Sequence, residues 1–262
     1  MKPRDAEPQM KKAKAIQRKR GVTIRARMAL RARFKSVFAA IVRDLVEELD
    51  NTAKAASSSN DSKSSANAKR LDAIAVKHLD DEGLSSFVAD RLTLVATDGV
   101  SLAMSQINET GSVALEQANE LAISWANDHA AEMVQGVSQT TRDSLAELVS
   151  KAEAEGWSNA DLSSEIQDSF GFSSKRADVI ARTETATADV QGNLAAYKAS
   201  GVETLQWITA NDDKVSDECQ MNDGEIRDIG DAFPSGATEP PGHPNCRCDV
   251  IPIFHSDEDG VD

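Results

Sequence analysis

In successive stretches between Leu30 and Tyr197 apolar side chains return every three or four positions, and after Gly201 that spacing stops. Such a repeat lines one face of a helix with groups that must leave water, so most of this chain is committed to amphipathic helices. The first stripe is Leu30, Phe34, Val37, Phe38, Ile41, Leu45 and Leu49, on a helix with a basic first half and an acidic end, 44-DLVEELD-50. A second runs through Leu71, Ile74, Ala75, His78 and Leu79, and a third through Leu84, Phe87, Val88, Arg91, Leu92 and Val95. Beyond Gly111, Ala122, Trp125, His129, Met133 and Val137 form one stripe, and Leu145, Leu148, Val149 and Ala152 another. Trp125 and Met133 read as core; His129, with no second ligand near it in sequence, reads as a hydrogen-bonded core histidine.

The stretch 156-GWSNADLSSEIQDSFG-171 predicts a turn, a short helix capped by Ser158 and a glycine stop. Ser173 or Ser174 caps the next helix, 175–200, which ends before Gly201. On it Ala177, Ala181, Ala188 and Ala195 make a small-residue face that admits another element closely, and Glu184 belongs to that face. A carboxylate there needs partners. Glu184 is expected to accept hydrogen bonds from the carboxyl-terminal loops, and Arg182 to pair with Asp178 or with the acidic sheet region.

After Gly201 the pattern becomes strand-like: 202-VETLQWITA-210 alternates, with Leu205 and Trp207 on one face, and 225–229 and 248–253 are further strand candidates. The fold class expected is α+β, a predominantly helical body with a small carboxyl-terminal antiparallel β region carrying a Cys/His cluster. Along the chain, residues 1–52 form a basic arm and amphipathic helix, and 53–69 a Ser-rich linker with almost nothing to bury. Residues 70–119 form a helical region, 120–253 the main carboxyl-terminal domain, and 254–262 an acidic tail.

Charge is distributed unevenly. Residues 1–36 hold thirteen basic side chains against two acidic, a net +11, while the remainder, with 16 basic and 41 acidic, carries −25. A basic arm on an acidic body predicts an anionic partner for the arm, nucleic acid or an acidic protein surface. Lys11, Lys12, Lys14, Arg18, Lys19 and Arg20 are its candidate nucleic-acid contacts. No apolar run approaches the ~18 residues of a membrane span. The first residues lack the apolar segment of a secretory signal, and three cysteines cannot make a complete disulfide set. A reducing, cytosolic setting and no membrane partner are therefore expected.

In that setting the cluster 243-HPNCRC-248 draws attention. Together with Cys219 it supplies Cys219, His243, Cys246 and Cys248, four donors suited to a closed tetrahedral zinc site. Zinc would cross-link loops too poor in apolar groups to hold themselves. The alternative is three reduced thiols and a turn histidine. The usual C-x-x-C pair is missing, since Ser216 stands three residues before Cys219. No P-loop, G-x-G-x-x-G, G-x-S-x-G or H-E-x-x-H occurs, and no enzyme is expected.

The succession 177-ADVIARTETATADVQGNLAAYKASG-201, Trp207, Asp213, Cys219, Gly224, Phe233-Pro234, 243-HPNCRC-248 and Pro252 closely resembles the carboxyl-terminal domain of the Mu F-type phage minor head proteins, the portal-associated head morphogenesis family. The resemblance covers about residues 120–253. It puts the family's Arg-Thr-Glu signature on Arg182, Thr183 and Glu184 and its Cys/His tail on Cys219, His243, Cys246 and Cys248. It implies a minor capsid protein in the phage head interior, made in the host cytoplasm. Its partners would be the portal protein, scaffold or capsid protein, and DNA through the arm, with roles in head morphogenesis and in packaging or ejection of DNA. Two other readings stand beside it: a zinc-containing nucleic-acid-binding protein, which the −25 body disfavours, and a toxin-like enzyme using Arg182 and Glu184. Those two residues are two apart on a helix and do not face each other.

Overall fold

A computed structural model describes residues 21–56, 64–79, 82–107 and 111–254. The arm residues Lys11, Lys12, Lys14, Arg18, Lys19 and Arg20 and the tail 255–262 lie outside the described residues. Among the described residues, six longer helices precede the sheet: α1 (Gly21–Ala56), α2 (Ser64–Leu79), α3 (Glu82–Gln106), α4 (Ser112–Glu155), α5 (Asn159–Asp168) and, after a 3-10 turn at Phe170–Phe172, α6 (Ser174–Ala199). Strand β1 (Thr204–Ile208), the short α7 (Asp217–Asn222), β2 (Ile226–Asp228) and β3 (Asp249–Ile253) complete the chain. The protein is thus mainly helical with one small antiparallel sheet, the α+β class its sequence predicts. Helix α1 continues through Ala56 and α2 begins at Ser64, so the described ends of the expected 53–69 linker are helical. Among the described residues no helix is long and apolar enough to cross a membrane.

The chain divides into two compact units. One joins residues 28–90 with 127–181; the other includes 91–126 and the region from 182 onward. In the first, the whole predicted α1 stripe is buried, from Leu30 to Leu49, with Leu71, Ala75 and Leu79 of α2. The His78 ring nitrogen Nε2 meets Asp44 Oδ2 at 2.8 Å, which holds that carboxyl below its ordinary range. Ser158 caps α5 in a reciprocal box with Asp161, and Ser173 caps α6 by accepting the Arg176 N–H.

Arg176 itself turns inward. Its guanidinium donates to Thr141 Oγ1 at 2.7 Å, to the Gly171 carbonyl at 2.6 Å, to the Val137 carbonyl at 3.2 Å and to Thr140 Oγ1. It also lies 5.1 Å from the centroid of the Phe38 ring. Burial lowers its pKa, and these neutral acceptors with the ring face offset the cost of bringing a cation inside. Nearby, Asp178 pairs with Arg31 at 3.2 Å, whereas Arg182, the partner expected for it, is exposed.

Helix α4 corrects a core assignment. Its buried row is Ala118, Ala122, Ala126 and Ala130, with Met133, Val134 and Val137 beyond, while Trp125 and His129 are only half-buried. Four-residue spacing of alanine presents a flat surface that lets a neighbouring backbone approach, and the larger tryptophan ring is left at its margin.

The second unit rests on a close contact between α3 and α6. A Cβ at Gly192 would be driven into the Ala96 carbonyl oxygen, and one at Gly99 would come 2.9 Å from the Asp189 carbonyl oxygen. Around this crossing Ala96, Val100, Ala103, Val190, Leu194, Ala196 and Tyr197 pack with Leu205 and Val250 of the sheet. Gly201, with φ of 71°, takes the left-handed turn that releases the chain from α6 into β1. The sheet order is β2-β1-β3, all antiparallel, with Leu205 opposite Arg227 on one side and Pro252 on the other. Proline is tolerated there because β3 is an edge strand.

Gly192→Ala separates this account from helix propensity alone. Alanine normally gains about 1 kcal/mol over glycine inside a helix, yet overpacking here is expected to cost about 3 kcal/mol net. Chemical denaturation followed by circular dichroism should show the variant less stable; a gain in stability would mean the helices do not touch at this point.

Candidate metal site

Trp207, fully buried at the end of β1, organises the carboxyl-terminal loops. Its ring meets Phe233 edge-on at 5.1 Å between centroids, and Cys219, Cys246 and Cys248 complete the cluster. The backbone of residue 207 is bonded on both sides, donating to the Glu225 carbonyl at 3.0 Å and accepting from Gly224 at 2.9 Å. Buried Asn222 pins the 233–237 turn, accepting from the Ser235 N–H at 3.0 Å and donating to Ser235 Oγ at 2.7 Å.

Two short turns aim the donors. In the first, Ser216 caps α7 by accepting the Cys219 N–H at 3.3 Å, with Cys219 buried one turn on. In the second, the Cys246 N–H donates to the His243 carbonyl at 3.1 Å, which brings residues 243 and 246 to one side of the loop. Asn245 holds that turn with φ of 62°, a conformation its short amide side chain tolerates. The local pattern is therefore Ser216-x-x-Cys219 facing His243-x-x-Cys246.

Cys219 Sγ lies 3.1 Å from His243 Nε2 and 3.6 Å from Cys246 Sγ, and Ser216 Oγ is 2.9 Å from the same Nε2. His243 Nδ1 is 2.9 Å from the Pro244 carbonyl oxygen. Since a carbonyl only accepts, Nδ1 carries a proton and Nε2 is the nitrogen that faces the sulfurs, the orientation a metal-ligating histidine adopts. A cavity of about 10 Å³ lies among Ser216, Cys219, His243, Cys246 and Cys248, roughly the space of one water or one ion.

The thiols are not equivalent. The Cys248 thiol donates toward Cys246, and together with the backbone N–H groups of Cys248 and Gly242 it holds Cys246 down to about 5. Cys248 is correspondingly pushed up, first by that hydrogen bond and then by burial. Burial raises Cys219. The buried Trp207 N–H points toward the Cys248 sulfur and partly offsets the rise in its pKa.

The donor chemistry fits a metal ion. The ligand atoms of Cys219, His243 and Cys246 lie within 4.8 Å of one another. Sulfurs bound tetrahedrally at ~2.3 Å sit about 3.8 Å apart, close to the 3.6 Å found between Cys219 and Cys246. Cys248 is the exception among the four predicted ligands, because its sulfur falls outside this mutually close set. The reason is the turn: residue 246 is paired with 243, so 248 is carried on toward β3, where the Cys248 N–H approaches Cys246 Sγ at 3.5 Å.

The Arg-Thr-Glu stretch contributes through its middle residue. Thr183 Oγ1 accepts the Asn245 N–H at 3.1 Å and so anchors the His243–Cys246 turn to α6. Arg182 is exposed and Glu184 half-buried; the fully buried positions on this face are Ala177, Ala181, Thr185 and Ala188. Sequence reasoning missed the fork from Arg247 to Asp212, with both bonds at 2.6 Å, which clamps the far side of the loop and lowers the Asp212 pKa. It also missed Ser216 as a cap, although Ser-Asp-Glu before an apolar position is a readable helix start.

Residues 143–251 match the family model described as phage Mu protein F like protein. The match begins inside α4, later than the residue 120 expected, and takes in Arg182, Thr183, Glu184 and the whole Cys/His cluster. No curated protein and no solved structure matches the chain.

Thr183→Val removes one acceptor while keeping the side chain's size. It is expected to destabilise the carboxyl-terminal loops by about 1 kcal/mol and to raise amide exchange at residues 243–248 first. Exchange unchanged in that turn would show that Thr183 does not anchor it.

Proposed function

Residues 143–251 belong to the phage Mu protein F like family, and from this premise we propose that the chain is a phage minor head protein that binds the portal during head morphogenesis. The family match carries the reading, and the geometry supports it. The signature parts 182–184 and 243–248 meet through the Thr183–Asn245 bond. The reading needs no catalytic step, and Arg182 and Glu184, two apart on one helix, do not face each other. The place of action is the virion, with scaffold or capsid protein as further contacts.

The site's ion is zinc. Two thiolates and an imidazole are soft and borderline donors, which favour zinc over the hard oxygen-seeking cations. Cys219 and Cys246 would hold it through sulfur and His243 through Nε2. Bound there, it would tie α7 to the 243–248 loop. These residues are 24 and 27 positions apart, so the link closes loops that apolar burial supports weakly.

Portal association is tested by co-expressing the chain with the cognate portal, scaffold and capsid proteins. The protein should sediment with portal-containing procapsids and be lost from procapsids assembled without portal. Recovery only as free protein would overturn the reading.

The basic arm is proposed to contact DNA. Arg25, Arg31 and Lys35 extend its charge along the exposed side of α1. Counterion release makes such binding steeply salt-dependent, and ~6–10 phosphate contacts lose ~10³–10⁵ in affinity between 50 and 200 mM salt. Deleting residues 1–20, which spares every described element, should weaken retention of duplex DNA and flatten that salt slope. Equal binding by the truncated chain would remove the arm from the DNA-contact role.

A further inference from the structure

The metal site is built from two x-x-C turns, yet only three of their four turn-defining side chains are strong ligands. Cys219 and Cys246 end the turns, and His243 begins the second. The position that begins the first is held by Ser216. Its hydroxyl lies 2.9 Å from His243 Nε2 and accepts the Cys219 N–H at 3.3 Å, so it sits beside two of the three donor residues. Cys248 is the other candidate for a fourth donor, but its sulfur lies outside the set whose ligand atoms are mutually within 4.8 Å.

Resting on the zinc reading above, we infer that an ion held by Cys219, His243 and Cys246 has an exchangeable fourth position on the Ser216 side, filled by water hydrogen-bonded to the Ser216 hydroxyl, and that Cys248 is not a ligand. Three protein donors plus water mark an open site, in contrast to the closed four-donor structural kind. The cavity of about 10 Å³, which both Ser216 and Cys248 line, takes the ion itself. With the Cys248 sulfur outside the mutually close set and Ser216 Oγ 2.9 Å from His243 Nε2, the fourth ligand falls at the half-buried Ser216 edge. Lys214 and Arg247 line the same cavity, with Arg247 forked onto Asp212, and the small space admits a small monodentate anion such as azide rather than a bulky ligand.

The test uses the full-length reduced chain loaded with cobalt(II), whose visible bands report coordination and whose charge-transfer intensity counts bound thiolates. Wild type should show two thiolates, and azide should shift the visible bands. Cys248→Ser should keep the two-thiolate charge-transfer intensity and lose no more than the ~10–100-fold in cobalt affinity that removing an outer hydrogen-bond partner of a ligand costs. Ser216→Cys should add a third thiolate, tighten binding at least about tenfold and abolish the azide response. Loss of charge-transfer intensity in Cys248→Ser, or an unchanged spectrum in Ser216→Cys, would overturn the open position while leaving metal binding in place. Circular dichroism of each variant confirms that the helices are intact, and Ser216→Cys decides the question alone if Cys248→Ser disturbs packing. Zinc content of the wild-type chain prepared without chelators is measured in parallel: absence of zinc and of cobalt uptake would overturn the zinc reading, and this inference with it.

Discussion

The carboxyl-terminal loops depend on the packing around Trp207. From residue 209 to 248 the chain has few large apolar side chains, and the cluster against the indole consists of Phe233 and three cysteines, with Val215 and Ala237 at its margin. Reduced cysteine packs as a small hydrophobe, so this core excludes water but buries little area. What fixes the loops is instead a set of directional contacts: the paired bonds of Asn222 with Ser235, the Arg247–Asp212 fork, the Thr183–Asn245 bond and the backbone bonds of residue 207 with 224 and 225. A bound ion would act where apolar area is scarcest, and its three donors are already within reach of one another.

The helices were legible because their signal is local. Every residue of the stripe from Leu30 to Leu49 is buried, and the caps at Ser158 and Ser173 appear where serine precedes an apolar repeat. The strands were legible for the same reason, with β1 inside the alternating run 202–210. What escaped the sequence depends on partners far along the chain. Arg176, in the first turn of α6, reads as a solvated charge; it is buried because carbonyls of Val137 and Gly171 and two threonine hydroxyls converge on it. Trp125 reads as core from its place on the apolar stripe, but the four-residue row of alanines takes the buried face.

The site was legible in composition more than in geometry. Four donors were visible, and three of them converge. Counting cysteines near a histidine could not distinguish Cys246 from Cys248, since both lie within the same six residues. The turn in which the Cys246 N–H reaches the His243 carbonyl brings residues 243 and 246 together, while the Cys248 sulfur stays near Cys246 but outside the set whose ligand atoms are mutually close. Read as spacing, H-x-x-C carries that information and C-x-C does not.

That turn also explains why two stretches 60 residues apart travel together. The left-handed conformation at Asn245 exposes its backbone N–H, a donor that must find a partner once the loop is packed. Thr183 supplies the oxygen from the side of α6, a rigid element held on its other faces by Gly192 against Ala96 and by the Leu194 and Tyr197 packing. Position 183 therefore sets the height of the turn, and with it the separation of His243 and Cys246 from Cys219.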